Sequence, residues 1–122
     1  MKKAFACGGA EGGLQTRSFL YIDECLEGSI RLMRSDCRDV LNIGSDEMIS
    51  INGLAQMVAE IANKRVTTKH ISGPLGVRGR NSDNRLIQER LGWRPRNPLK
   101  RGMAITYAWI EHQVQIIRHQ RT

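Results

Sequence analysis

Asp39-Val40-Leu41-Asn42-Ile43-Gly44, then Ile51, Leu54, Ala55, Val58, Ile61 and Ala62, then Val66-Thr67-Thr68-Lys69-His70-Ile71 carry the reading that decides the fold. The first run is short and apolar and ends in glycine, as expected of a strand covered on both faces. Gly44-Ser45-Asp46-Glu47 reads as a turn. The second set recurs at helical spacing, with a cap at Ser50 or Asn52. Asn63-Lys64-Arg65 closes that helix with positive charge, which suits the negative end of its dipole. The third run alternates and predicts a strand with one wet face. Strand, helix, strand in close succession is the pattern of an α/β chain.

Working outward, Ser18-Phe19-Leu20-Tyr21-Ile22 predicts an earlier strand, and Asp23 is placed to cap the helix after it. Leu26, Ile30 and Met33 lie on one face of that helix. Gly28 sits inside it at a cost of about 1 kcal/mol relative to alanine, so it predicts close packing against a neighbouring backbone. Residues 1–13 are glycine-rich and weakly patterned and read as a loose, disordered leader. Residues 14–122 form the patterned region. Beyond Ser72-Gly73-Pro74, a helix is expected from about Asn84 to Leu91, stopped by Gly92, with Trp93 packing back on it and Pro95 just beyond. The longest helix follows Pro98, with Leu99, Met103, Thr106, Ile110, Val114 and Ile117 along one face and a basic frayed end over 118–122. Three strands are few for a free α/β domain, and the strand at Val40–Ile43 finds few neighbours to cover it.

The bulk numbers bound the function. A chain of 122 residues is one domain or part of a larger one. Nineteen Lys and Arg against twelve Asp and Glu give +7, which implies anionic company without choosing among nucleotides, nucleic acid and acidic surfaces. A nucleic-acid reading is unfavoured, because the basic residues are spread over several elements and no reading motif or aromatic stacking pair is present. Cys7, Cys25 and Cys37 are odd in number and widely spaced, so neither a disulfide frame nor a zinc pattern is read, and a reducing cytoplasm is expected. His112 and His119 read as solvated residues rather than metal ligands, and no metal is expected. No apolar run approaches a membrane span, and the apolar part after Met1-Lys2-Lys3 is too short for a signal peptide.

Gly76-Val77-Arg78-Gly79-Arg80-Asn81-Ser82-Asp83-Asn84 is the candidate site. Guanidinium forks grip phosphate or carboxylate through paired hydrogen bonds. A glycine between them lets a ligand approach the backbone. Ser82 or Asp83 can cap the next helix, whose free N–H groups favour anions. Two readings follow from these residues: a diphosphate site, or a basic surface loop leading into a capped helix.

Set in order, Arg17-Ser18-Phe19-Leu20-Tyr21-Ile22-Asp23-Glu24, Asn42-Ile43-Gly44-Ser45, Leu91-Gly92-Trp93-Arg94-Pro95 and Leu99-Lys100-Arg101-Gly102 with Thr106 and Trp109 resemble the C-terminal part of the extended short-chain dehydrogenases/reductases that act on nucleotide sugars. Gly13-Leu14-Gln15-Thr16-Arg17-Ser18-Phe19, Asn42 to Met48 and the arginine loop are similar to the GDP-mannose 3,5-epimerase family, over about Gly13 to Ile117. The resemblance implies an α/β fold, the substrate-side portion without the N-terminal Rossmann core. It also implies that Gln15, Thr16, Arg17 and Arg80 contact a GDP-sugar. In that family NAD sits on a glycine-rich turn between the first strand and helix. Gly8-Gly9-Ala10-Glu11-Gly12-Gly13 does not read as that turn, since no strand is expected before it and no helix after it. Tyr21 and Tyr107 have no lysine four residues on, so the family's Tyr-x-x-x-Lys pair is not found. The family's cysteine and lysine acid/base pair lies upstream of the matched region, so no cysteine here inherits that role, and Cys25 reads as a core residue. The expectation is a truncated, epimerase-like chain that contacts a GDP-sugar, with no cofactor of its own and no catalytic residues. The alternative is an accessory module that pairs with a Rossmann-containing half, or with itself, without catalysis.

Overall fold

The computed structural model describes residues 3–8 (main chain only), 12–73 and 77–120. The elements run β1 (Lys3–Gly8), β2 (Thr16–Ser18), α1 (Ile22–Met33), β3 (Met48–Ser50), α2 (Ile51–Ile61), β4 (Val66–Ile71), α3 (Arg85–Leu91) and α4 (Leu99–Gln120). They make two small sheets. β1 lies parallel to β4, from Lys3↔Val66 to Gly8↔Ile71. β2 lies antiparallel to β3, with Thr16↔Ser50, Arg17↔Ile49 and Ser18↔Met48. α2 connects the sheets and packs on α4.

The helices follow the sequence closely. Ser50 caps α2, its hydroxyl accepting from Gly53 N at 3.0 Å. Gly92 ends α3 in the left-handed conformation (φ 61°) and donates its N–H to Gln88 O at 3.0 Å. Two carboxylates tie distant segments together. Glu24 on α1 accepts from the N–H groups of Arg96 and Asn97, and Glu47 accepts from Leu99 N at 2.8 Å in the first turn of α4.

The strands depart from the sequence reading. Val40–Ile43 is not a strand, and Val40 is 92% exposed. Just beyond it, Gly44 O accepts from the Asn84 side chain and Ser45 O from Ser82 N, so these carbonyls serve a loop rather than a ladder. The strand lies instead at Met48–Ser50, where β2 offers a partner. The earlier strand is Thr16–Ser18 rather than Ser18–Ile22. Tyr21, not Asp23, holds the N-cap position of α1, and its carbonyl accepts from Glu24 and Cys25. Residues 3–8, read as part of a loose leader, form β1, because pairing with β4 decides a short strand more than its own composition does. β4 is exposed along its whole length and not on one face alone. Trp93 packs against Gly28 of α1, so the close approach at that glycine is to an aromatic ring and to Ile43, not to backbone. Cys25 and Cys37 are half-buried free thiols, so Cys25 is not a core residue. α4 continues to Gln120 through most of the expected frayed end, and the rest of that end lies outside the described residues.

Among the described residues the buried apolar side chains are Ala59, Ile87 and Leu99. The expected α1 face is open: Leu26, Ile30 and Met33 are all exposed, Met33 by 83%, and so is Ile22 in the same helix. So is much of α4, including Trp109, Ile110 and Ile117.

Candidate functional site

The β2–β3 ribbon is the platform of the site. Its entry is fixed to the start of α2. Asn52 donates from its backbone N to Gly13 O at 3.0 Å and from Nδ2 to Gly12 O at 2.9 Å, while Ile51 N donates to Gln15 O at 3.1 Å. Gly12 and Gly13 both take positive φ there (59° and 82°), which glycine adopts without strain. The ribbon thus delivers Gln15, Thr16 and Arg17 from a base hydrogen-bonded to the start of α2.

The arginine loop docks on the edge of β2. Thr16 N donates to Arg78 O at 2.8 Å. Gly79 lies flush on the ribbon, where a Cβ would stand 2.8 Å from Thr16 Oγ1 and 3.2 Å from Met48 Cε. The glycine between the two arginines is therefore needed for docking the loop, whatever it also does for a ligand. Arg17 is half-buried and donates from Nη1 to Thr16 O at 2.7 Å. Arg80 is exposed. The structure thus brings the Gln15–Arg17 segment and the Arg78–Arg80 segment into direct main-chain contact across 62 residues of sequence. Gly76, the first residue of the quoted loop, lies outside the described residues.

Past Arg80 the loop meets a second anchor. Ser82 N donates to Ser45 O at 3.2 Å, Ser82 Oγ donates to Asn84 Oδ1 at 2.9 Å, and Asn84 Nδ2 donates to Gly44 O at 3.0 Å. Asp83 accepts from Arg85 N at 3.0 Å and from its guanidinium at 2.6 Å. These hydrogen bonds hold the Asp83 carboxyl down at about 2, from an ordinary 3.8, and raise Arg85. Asp83 is thereby answered locally by a cation of its own. Asn84 and Gly79 were not singled out as anchors in the sequence. The polar cluster 81–84 was visible there, but its partners Gly44 and Ser45 stand some forty positions away in the chain.

The glycine-rich segment also has a different context from that expected. A strand, β1, does precede it, but the next described element is β2 and not a helix. Residues 9–11 of that segment lie outside the described residues. Among the described residues no group of three or more His, Cys, Asp and Glu could hold a metal ion, and no helix is long and apolar enough to cross a membrane.

No protein-family model matches the chain. Curated proteins do. GDP-mannose 3,5-epimerase of Arabidopsis thaliana is 58% identical over 103 residues, covering 84% of this chain and 27% of that enzyme. GDP-mannose 3,5-epimerase 1 of Oryza sativa subsp. japonica is 54% identical over the same span. Among solved structures, MoeE5 in complex with UDP-glucuronic acid and NAD superposes with a TM-score of 0.80 at 27% identity, over 90% of this chain and 37% of that one. UDP-glucuronic acid 4-epimerase from Bacillus cereus, in complex with UDP-glucuronic acid and NAD, gives a TM-score of 0.79 at 27% identity, over 88% and 35%. The chain spans about a quarter of the length of the curated relatives it matches. Over the matched region its sequence is GDP-mannose 3,5-epimerase-like, and its fold is a part, about a third, of the α/β fold of extended short-chain dehydrogenase/reductase epimerases.

Proposed function

We propose that this chain supplies the diphosphate contacts of a GDP-sugar site through Gln15, Thr16, Arg17 and Arg80. The observation that carries the reading is the main-chain bond from Thr16 N to Arg78 O, which sets the Gln-Thr-Arg segment beside the Arg-Gly-Arg loop. Two guanidinium groups from separate segments can each take one phosphate of a diphosphate in fork geometry. The similarity to GDP-mannose 3,5-epimerases favours a guanosine diphosphate sugar over other anions. We also infer that these residues do not perform the NAD-dependent oxidation and reduction by themselves. What supports this is that neither Tyr21 nor Tyr107 has a lysine four residues on, and that the next described element after the glycine-rich segment is β2.

Calorimetric titration with GDP-mannose tests the reading. Arg80→Ala and Arg17→Ala should each weaken binding by about tenfold or more, the scale of one lost charge-assisted pair. Equal affinity in both variants and the parent would overturn it. Product formation from GDP-mannose and NAD by the isolated chain would overturn the second part.

A second reading rests on the open faces of α1 and α4. Exposed apolar surface of this extent marks an interaction site. On this reading the chain is a non-catalytic module whose α1 and α4 faces dock on a Rossmann-containing chain or on a second copy of itself.

A further inference from the structure

We infer that Asn84 is the positioning residue of the arginine loop, holding Arg80 in place for an anion that Asn84 itself does not touch. The inference rests on the diphosphate reading for its consequence on affinity, but its geometric part stands on the free protein. The loop is pinned twice. On one side, Thr16 N grips Arg78 O and Gly79 lies flush on the ribbon. On the other, Asn84 joins three segments. Its Nδ2 donates to Gly44 O, its Oδ1 accepts from Ser82 Oγ, and its backbone O accepts from Gln88 N at 3.1 Å in α3. The residue is 7% exposed, a buried polar group whose side-chain donor and acceptor are both used. The fit is close, since a Cβ on Gly44 would meet Ser82 Cβ at 2.7 Å. Arg80 and Asn81 are the residues left between the two pins.

A loop that is already ordered does not lose its conformational freedom when a ligand binds, whereas a free loop does. Asn84 therefore acts on affinity through the loop. Its amide is also the right group chemically. An aspartate there would lose the donor to Gly44 O and place a second carboxylate beside Asp83 at the edge of a cationic loop.

The test uses the full chain with three variants: Asn84→Ala, Ser82→Ala and Arg80→Ala. Amide hydrogen exchange at Ser82, whose N–H donates to Ser45 O, is measured without ligand, and GDP-mannose affinity is measured by titration. Asn84→Ala should speed exchange at the Ser82 amide by about tenfold and weaken GDP-mannose by a similar factor, while exchange in α2 stays as in the parent. Ser82→Ala removes one of the bonds and should move both quantities in the same direction by less. It decides the matter if Asn84→Ala does not fold. Arg80→Ala should lose binding without loosening the Ser82 amide, which separates gripping from positioning. Faster exchange in the Asn84 or Ser82 variant, together with a parent chain that binds no GDP-mannose, would support the pinning and defeat the diphosphate reading. Unchanged exchange in the variants would overturn the inference.

Discussion

At the scale of single residues, the arginine loop is held by small polar contacts rather than by the cations it displays. Asp83 shows how. Its carboxylate belongs to Arg85, through hydrogen bonds from both the backbone N–H and the guanidinium. Its folded-state pKa lies below the unfolded value, so the pairing is fully present above about pH 3.8 and is lost as pH falls towards 2. Carbon-detected titration of the Asp83 carboxyl should show a midpoint near 2 in the parent, moving up towards 3.8 in Arg85→Ala. A midpoint near 3.8 in the parent would remove the pairing from the account. Guanidinium and glycine chemistry is local, so the Arg78-Gly79-Arg80 loop stands out as a candidate from its own residues, whereas Gln15, Thr16 and Arg17 are named only through the resemblance. The anchors were not legible. Asn84 looks like any polar residue ahead of a helix, and its partner Gly44 is fixed only when the chain has folded.

At the scale of elements, helices were more legible than strands, and the reason is physical. A helix satisfies its own backbone, so periodicity, the Ser50 cap and the Gly92 terminus locate α2 and α3. A strand needs a partner, and the partner is not written beside it. Val40–Ile43 has the composition of a strand, yet the carbonyls next to it are taken by Ser82 and Asn84. Lys3–Gly8 has little pattern, yet β4 supplies its ladder. Gly28 gives a sharp test at this scale. In a free helix, Gly→Ala gains about 1 kcal/mol. Here the added Cβ would stand 2.6 Å from Trp93 Cζ3 and 3.1 Å from Ile43 Cγ2, and overpacking of a rigid ring costs roughly 1–3 kcal/mol. Gly28→Ala is therefore expected to lower the urea midpoint, by a net loss of about 1 kcal/mol. A raised midpoint would mean that propensity, not Trp93, governs the position.

At the scale of the whole molecule, the balance of apolar surface is unusual. The sequence marks apolar faces on α1 and α4, and among the described residues much of both faces is open. The solved neighbours are more than twice as long as the segment they share with this chain. A sequence shows an apolar face without showing what lies on it. Sedimentation velocity of the chain mixed with a full-length GDP-mannose 3,5-epimerase addresses the docking reading. Co-sedimentation, or self-association over a tenfold range of concentration, is expected in the parent. Either should be lost in Leu26→Asp combined with Trp109→Asp, since charge on a docking face is strongly unfavourable. A parent chain that stays monomeric and ignores the enzyme would leave the faces without a docking role. The central claim remains the diphosphate clamp, and an amide-resolved NMR titration of the chain with GDP-mannose tests it most directly. The account predicts shifts confined to residues 15–17, 48–50 and 77–84, saturating together. Shifts absent throughout the titration, or centred on α1 and α4 instead, would contradict it.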